Sequence, residues 1–198
     1  MTRTTFVLKM TGDRCAAIGV VKALKAEFEQ AGLENFSIWH MQQYLFGYGE
    51  NGEPEKLAAA FAKLPANVEL TCAPGTMRQM YHDIGIVRED KSLIRHRVFA
   101  TKLKPNCEEE YKLRHDGLIE ARGDTVKEGP ESNFTIWYGD GHIFGYCELV
   151  KSFDHEPTPE EHAATVAWET RQLEIMDWLT DDMNWLTGEN HPPVERVI

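Results

Sequence analysis

Asn35-Phe36-Ser37-Ile38-Trp39 returns 98 residues later as Asn133-Phe134-Thr135-Ile136-Trp137, and Phe46-Gly47-Tyr48 with Glu50 returns as Phe144-Gly145-Tyr146 with Glu148. Across residues 35–50 and 133–148, 8 of 16 positions are identical, where unrelated segments would share about one. Recurrence at a fixed offset marks a duplicated unit, so the 198-residue chain reads as two copies of one fold. Within each copy the motif predicts a hairpin: NFSIW and NFTIW alternate as half-buried strands, and YLFGYGE and HIFGYCE run back. Tyr138-Gly139-Asp140-Gly141 supplies the turn.

Outward from the hairpin, residues 4–10 and 97–103 are rich in β-branched and aromatic side chains and predict a first strand in each copy. A helix follows. In the first copy Ile18, Val21, Leu24 and Phe28 recur at helical spacing before Gly32; in the second, Glu108 to Val126 carries Tyr111, His115, Leu118 and Arg122 on one inward stripe, stopped by Gly129-Pro130. After the hairpin a second helix is predicted from Pro54, burying Leu57, Phe61 and Leu64. Its counterpart opens with Thr158-Pro159-Glu160-Glu161, an N-cap, a first-turn proline and a capping-box glutamate. Ala164, Trp168, Ile175, Leu179 and Met183 extend that helix toward Gly188 and His191-Pro192-Pro193. Last strands are predicted near 79–87 and 193–198. The order βαββαβ gives an α+β fold of two tandem ferredoxin-like repeats, 1–90 and 91–198, joined by the charged stretch 88–96. Each such sheet leaves one face bare, and packing the two faces together would form an intramolecular dimeric α/β barrel.

Composition narrows the function. With 42% hydrophobic residues, 9 Phe, 6 Tyr and 5 Trp, the chain is globular rather than disordered. A net charge of −11 argues against nucleic acid or an anionic membrane surface as partner. With no long apolar run and no signal-like start, a soluble cytoplasmic protein is expected. Cys15, Cys72, Cys107 and Cys147 show no CxxC spacing and are expected as reduced, buried thiols. There is no Walker loop, GxSxG elbow or HExxH helix, and His155-Glu156 runs into Pro157. The eight histidines lack ligand spacing, so neither a metal nor another cofactor is expected.

The copies differ at one informative place. Aligning Cys15 with Cys107 sets Gly19 and Ala23 opposite Tyr111 and His115. Tyr111 and His115, four residues apart, share one helix face. A histidine there can act as general acid and base, with the tyrosine orienting it or a substrate oxygen. The same pair would also serve as ordinary packing residues, and spacing alone does not choose. Residues 1–98 carry a net charge of +1 and 99–198 a net charge of −12, so neighbouring carboxylates are expected to raise the pKa of His115.

Over roughly 95–198 the sequence resembles the L-rhamnose mutarotase family of small α/β-barrel sugar isomerases. The resemblance lies in Phe99 to Lys102 leading into Pro105, Glu109-Glu110-Tyr111-Lys112 with Arg114-His115, Asn133-Phe134 with Ile136-Trp137, and Ile143-Phe144 with Glu148. It implies that His115 is the proton donor and Tyr111 a substrate-binding residue. Phe134 falls at a substrate-contacting position where the family usually has tyrosine, and lacks that hydroxyl. Ile119 stands where a tryptophan is usual; Ile175 and Met176, with Trp178 close by, stand where a tryptophan pair on the second helix lines the sugar site. The implied reaction interconverts the α and β anomers of L-rhamnose or a related monosaccharide without cofactor, in a pseudo-dimeric monomer or a homodimer. A barrel that only binds a small ligand, and a monooxygenase-like or haem-handling member of the same architecture, are the readings from other classes. The first copy, lacking the Tyr/His pair, reads as a structural half, with Tyr81 and His82 on its last strand as minor candidates to reach the site. Alternation places Phe134 and Trp137 on opposite faces unless a bulge intervenes, and Trp137, matched by Trp39, reads as core.

Overall fold

In the computed structural model, which describes residues 1–83, 85, 87–124, 131–152, 158–180 and 194–198, the first repeat runs β1 (Arg3–Met10), α1 (Arg14–Ala23), α2 (Lys25–Gln30), β2 (Leu33–Met41), β3 (Tyr44–Asn51), α3 (Pro54–Phe61), β4 (Val68–Cys72) and β5 (Arg78–Asp83). The second runs β6 (Ile94–Leu103), α4 (Glu108–Arg122), β7 (Glu131–Gly139), β8 (His142–Val150), α5 (Pro159–Gln172), β9 (Met176–Thr180) and β10 (Glu195–Arg196). Two antiparallel five-stranded sheets result, ordered β10-β2-β3-β1-β4 and β5-β7-β8-β6-β9. Four strands of each repeat their ferredoxin-like arrangement, β2-β3-β1-β4 and β7-β8-β6-β9.

The fifth strand of each sheet comes from the other repeat. β5 pairs with β7, and β10 pairs with β2. One compact unit therefore comprises Met1–Met77 with Val194–Ile198, and the other the described residues of 78–193. The strands predicted near 79–87 and 193–198 exist in part, but they do not close their own repeats; β4 and β9 do. The predicted continuation of α5 through Ile175 and Leu179 is also corrected: the helix stops at Gln172, and Met176 and Trp178 pair with Leu103 and Thr101 across β6. A short apolar run at four-residue spacing fits helix or strand, and here the open edge of β6 decides. Met183, Gly188 and His191 to Pro193 lie outside the described residues. α4 ends at Arg122, where Gly123 takes a φ of 62°, earlier than the predicted stop at Gly129-Pro130, which also lies outside them. Of the cysteines expected to be buried, Cys15 is exposed and Cys107 only partly covered; all four are free.

The repeated motif has a structural cause. Asn35 and Asn133 take left-handed backbone angles, φ of 47° and 49°, at bulges between Glu34 and Ser37 and between Ser132 and Thr135. Asparagine tolerates that conformation and its amide can be anchored. Asn35 Nδ2 donates to Glu50 at 3.1 Å and the Tyr48 hydroxyl donates to the same oxygen at 3.2 Å. Asn133 and Tyr146 repeat both contacts on Glu148 at 3.1 and 3.2 Å, and Lys91 Nζ adds an ion pair at 2.8 Å. The repeated glycines lie beneath aromatic rings: a Cβ on Gly47 would come within 2.1 Å of Phe6, and one on Gly145 within 2.0 Å of Phe99.

Candidate functional site

Two helix faces meet at a cavity of ≈ 120 Å³ in the second unit. α4 begins with Glu108, Glu109 and Glu110 in its first turn, charges that complement the helix dipole, and presents Tyr111, His115 and Leu118. α5 opens with the predicted capping box, Thr158 accepting from the Glu161 backbone N–H at 3.2 Å while Glu161 accepts from the Thr158 N–H at 2.8 Å. One turn apart at its far end, Trp168 and Gln172 face the same space. Tyr81 from β5, Arg97 and Phe99 from β6, Phe134 and Ile136 from β7, and Met176 and Trp178 from β9 complete the wall.

His115 is only 5% exposed. Its Nδ1 lies 2.9 Å from the carbonyl oxygen of Tyr111, which can only accept, so Nδ1 carries the proton and Nε2 keeps its lone pair. The imidazole stacks on the Tyr111 ring with centroids 4.2 Å apart, and the edges of Tyr81 and Trp168 close in at 5.4 and 5.3 Å. Burial dominates its titration and lowers its pKa from 6.5 to about 4, although the backbone hydrogen bond and Asp116 pull the other way. The expected upward shift is therefore corrected. The carboxylates of this half do not outweigh the loss of water around the ring.

Burial also pushes the Tyr111 phenol up, so it stays protonated, and lifts Tyr81 to about 12. The Tyr81 hydroxyl approaches Asp83 at 3.5 Å, and Asp83 is ion-paired with Arg122. The Arg97 guanidinium sits 5.2 Å from the centre of the Phe99 ring. Gln172, 1% exposed, has neither amide atom hydrogen-bonded among the described residues. The site thus presents an unprotonated imidazole nitrogen, a neutral phenol and an unpaired amide within mostly apolar walls.

Of the residues expected at the site, Tyr111, His115, Phe134, Met176 and Trp178 are brought together. Ile175 is not: it lies buried in the core beside Met176 and does not face the cavity. Leu118, expected to point inward, is 40% exposed at the cavity rim. Trp137 stays off the cavity while Phe134 and Ile136 line it. Tyr81, only a minor candidate on sequence, lines the cavity because β5 joins the second sheet. Gln172 and Arg97 escaped notice, although Gln172 follows Trp168 by four residues and so shares its face. Among the described residues no three His, Cys, Asp or Glu side chains gather as a metal cluster, and no helix is long and apolar enough to cross a membrane.

A family model described as L-rhamnose mutarotase matches residues 96–197, a span that holds every cavity residue except Tyr81. No curated protein and no solved structure matches the chain.

Proposed function

The chain belongs to the L-rhamnose mutarotase family, and from that premise we propose that the cavity binds a reducing monosaccharide, L-rhamnose or a close relative, and interconverts its α and β anomers. His115 carries the proposal: a neutral imidazole whose Nδ1–H is fixed on a backbone carbonyl and whose Nε2 has no hydrogen-bond partner among the described residues. Nε2 takes the proton of the anomeric hydroxyl as the bond from C1 to the ring oxygen breaks and C1 becomes a carbonyl. The ring oxygen, borne by the same carbon, receives that proton from the imidazolium. Rotation about the C1–C2 bond and the reverse transfers close the ring on the other face. With a pKa lowered to about 4 the imidazole is unprotonated at neutral pH and its imidazolium returns the proton readily, at the cost of being a weaker base than one matched to the working pH.

Tyr111 supports the reading as a phenol that stays protonated in the working range and lines the same cavity as His115. Phe134 and Trp178 supply apolar faces for the C–H side of the ring. Saturation-transfer NMR between the anomeric signals of L-rhamnose tests the reading. Enhanced exchange is expected with the wild-type protein and a fall of at least about 100-fold in His115→Ala; unchanged exchange in that variant, or none in the wild type, overturns it. Exchange should persist down to about pH 5 and decline through the His115 pKa near 4. Binding without exchange would leave a sugar-binding protein.

A further inference from the structure

We propose that Gln172 is the residue that reads the sugar's hydroxyl pattern, donating through Nε2 and accepting at Oε1 to neighbouring hydroxyls of the bound ring. The inference rests on the mutarotase reading of the same cavity. Its physical basis is an imbalance: the side chain is 1% exposed, both amide atoms lack a hydrogen-bond partner among the described residues, and the residue lines the cavity beside His115 and Tyr111. A buried amide without partners opposes folding, whereas an apolar residue of similar shape would not. Side chains that break the rule of paired buried polar groups concentrate where a ligand completes the pairing.

The placement fits that role. Gln172 ends α5 one turn beyond Trp168, so it is held by a regular helix whose start is capped on both sides. It faces the same cavity as the proposed acid–base group but comes from a different helix. The walls around it are largely apolar, which makes a hydrogen bond formed there stronger than one in water. Two donors and an acceptor on one planar group suit adjacent hydroxyls, each of which both donates and accepts. Such a site rejects an analogue lacking the hydroxyl it was built to pair.

The test uses the full chain, L-rhamnose and its methyl glycoside, which binds without opening its ring. Gln172→Met keeps the shape and removes the amide. The expected result is at least a tenfold loss of methyl glycoside affinity by calorimetry, with Tm unchanged or raised. Removal of one hydroxyl in a series of monodeoxy glycosides should weaken binding to the wild type and cost nothing further in Q172M. Wild-type affinity in Q172M, a lowered Tm, or a loss that no deoxygenation cancels would overturn the inference while leaving anomer exchange by the wild type intact. If the wild type neither binds nor exchanges L-rhamnose, the mutarotase reading itself fails and this one falls with it.

Discussion

Both units build the same hairpin over the same asparagine bulge, yet they fill the space beneath it differently. In the first unit Phe6, Phe28, Phe36 and Phe61 form one aromatic cluster, with Phe6 stacked on Phe28 at 5.8 Å and edge-on to Phe61 at 4.9 Å. In the second, Phe99 and Phe134 keep the sheet positions of Phe6 and Phe36, while the helices contribute Tyr111, His115, Trp168 and Gln172 around a cavity. Dispersion and apolar burial reward the first arrangement fully. The second leaves polar groups unpaired and space unfilled, features that oppose stability and make sense as a binding site. Under the proposed function, the two units thus divide between them two demands that would compete in a single one.

The sharpest way to break this contrast is to cut one ring from each side. Phe28 is fully buried, and Phe28→Ala should cost about 3–5 kcal/mol of stability. Trp168 is half-buried and already borders open space, so Trp168→Ala should cost only about 1–2 kcal/mol and act instead on sugar binding. Denaturant unfolding of both variants, with anomer exchange measured alongside, checks the pairing. Similar losses of stability would mean that the second unit is packed as tightly as the first.

Next in size is the pH dependence that only the second unit should show through its buried imidazole. Because folding lowers the His115 pKa from 6.5 to about 4, the unfolded chain takes up a proton more readily than the folded one. The associated stability is fully present above pH 6.5, drains away as pH falls from 6.5 to 4, and amounts to about 3 kcal/mol. His115→Phe removes the titrating group. Its stability relative to wild type should therefore rise by that amount between pH 7 and pH 4, measured by urea unfolding at each pH. A constant difference would show that His115 is solvated rather than buried.

The contrast was only partly legible in the amino-acid sequence, and the divide follows from physics. Hairpins, capping box and helix starts are local: Asp140-Gly141, Thr158-Pro159 and Pro54 act within a few residues, so they could be read directly. The partner of a strand is not local. RQMYHD has the same character whether it pairs with β2 or β7, so the exchange of β5 and β10, and with it the arrival of Tyr81 at the site, left no mark in the spacing. The repeat marks Asn133, Gly145, Tyr146 and Glu148 as special, but the reason is tertiary: a bulge tied to a buried carboxylate, and a glycine beneath the Phe99 ring. Counting charge over a hundred residues suggested the wrong direction for His115 because it ignores burial. Gln172 was hidden for the opposite reason: a buried, unpaired amide contradicts the apolar stripe by which a core helix is recognised.

The smallest effect concerns the helices that follow the two hairpins. α5 begins at Thr158, whose side chain closes a capping box, whereas α3 begins at Glu53, whose extended backbone, φ −94° and ψ 116°, suits a cap but whose side chain makes no such bond. Thr158→Ala should cost about 1 kcal/mol, and Glu53→Asp should gain roughly 0.5–1 kcal/mol because the shorter carboxylate can reach the free N–H groups of the first turn. Glu53 would lose its ion pair with Lys56, but both side chains are more than half exposed, and such pairs contribute little. Neither change touches a cavity residue, so both should shift the midpoint of thermal unfolding in opposite directions and leave anomer exchange unchanged. A loss of exchange in Thr158→Ala would mean that the start of α5 governs how firmly Trp168 and Gln172 are held, about three and four turns away along the same helix.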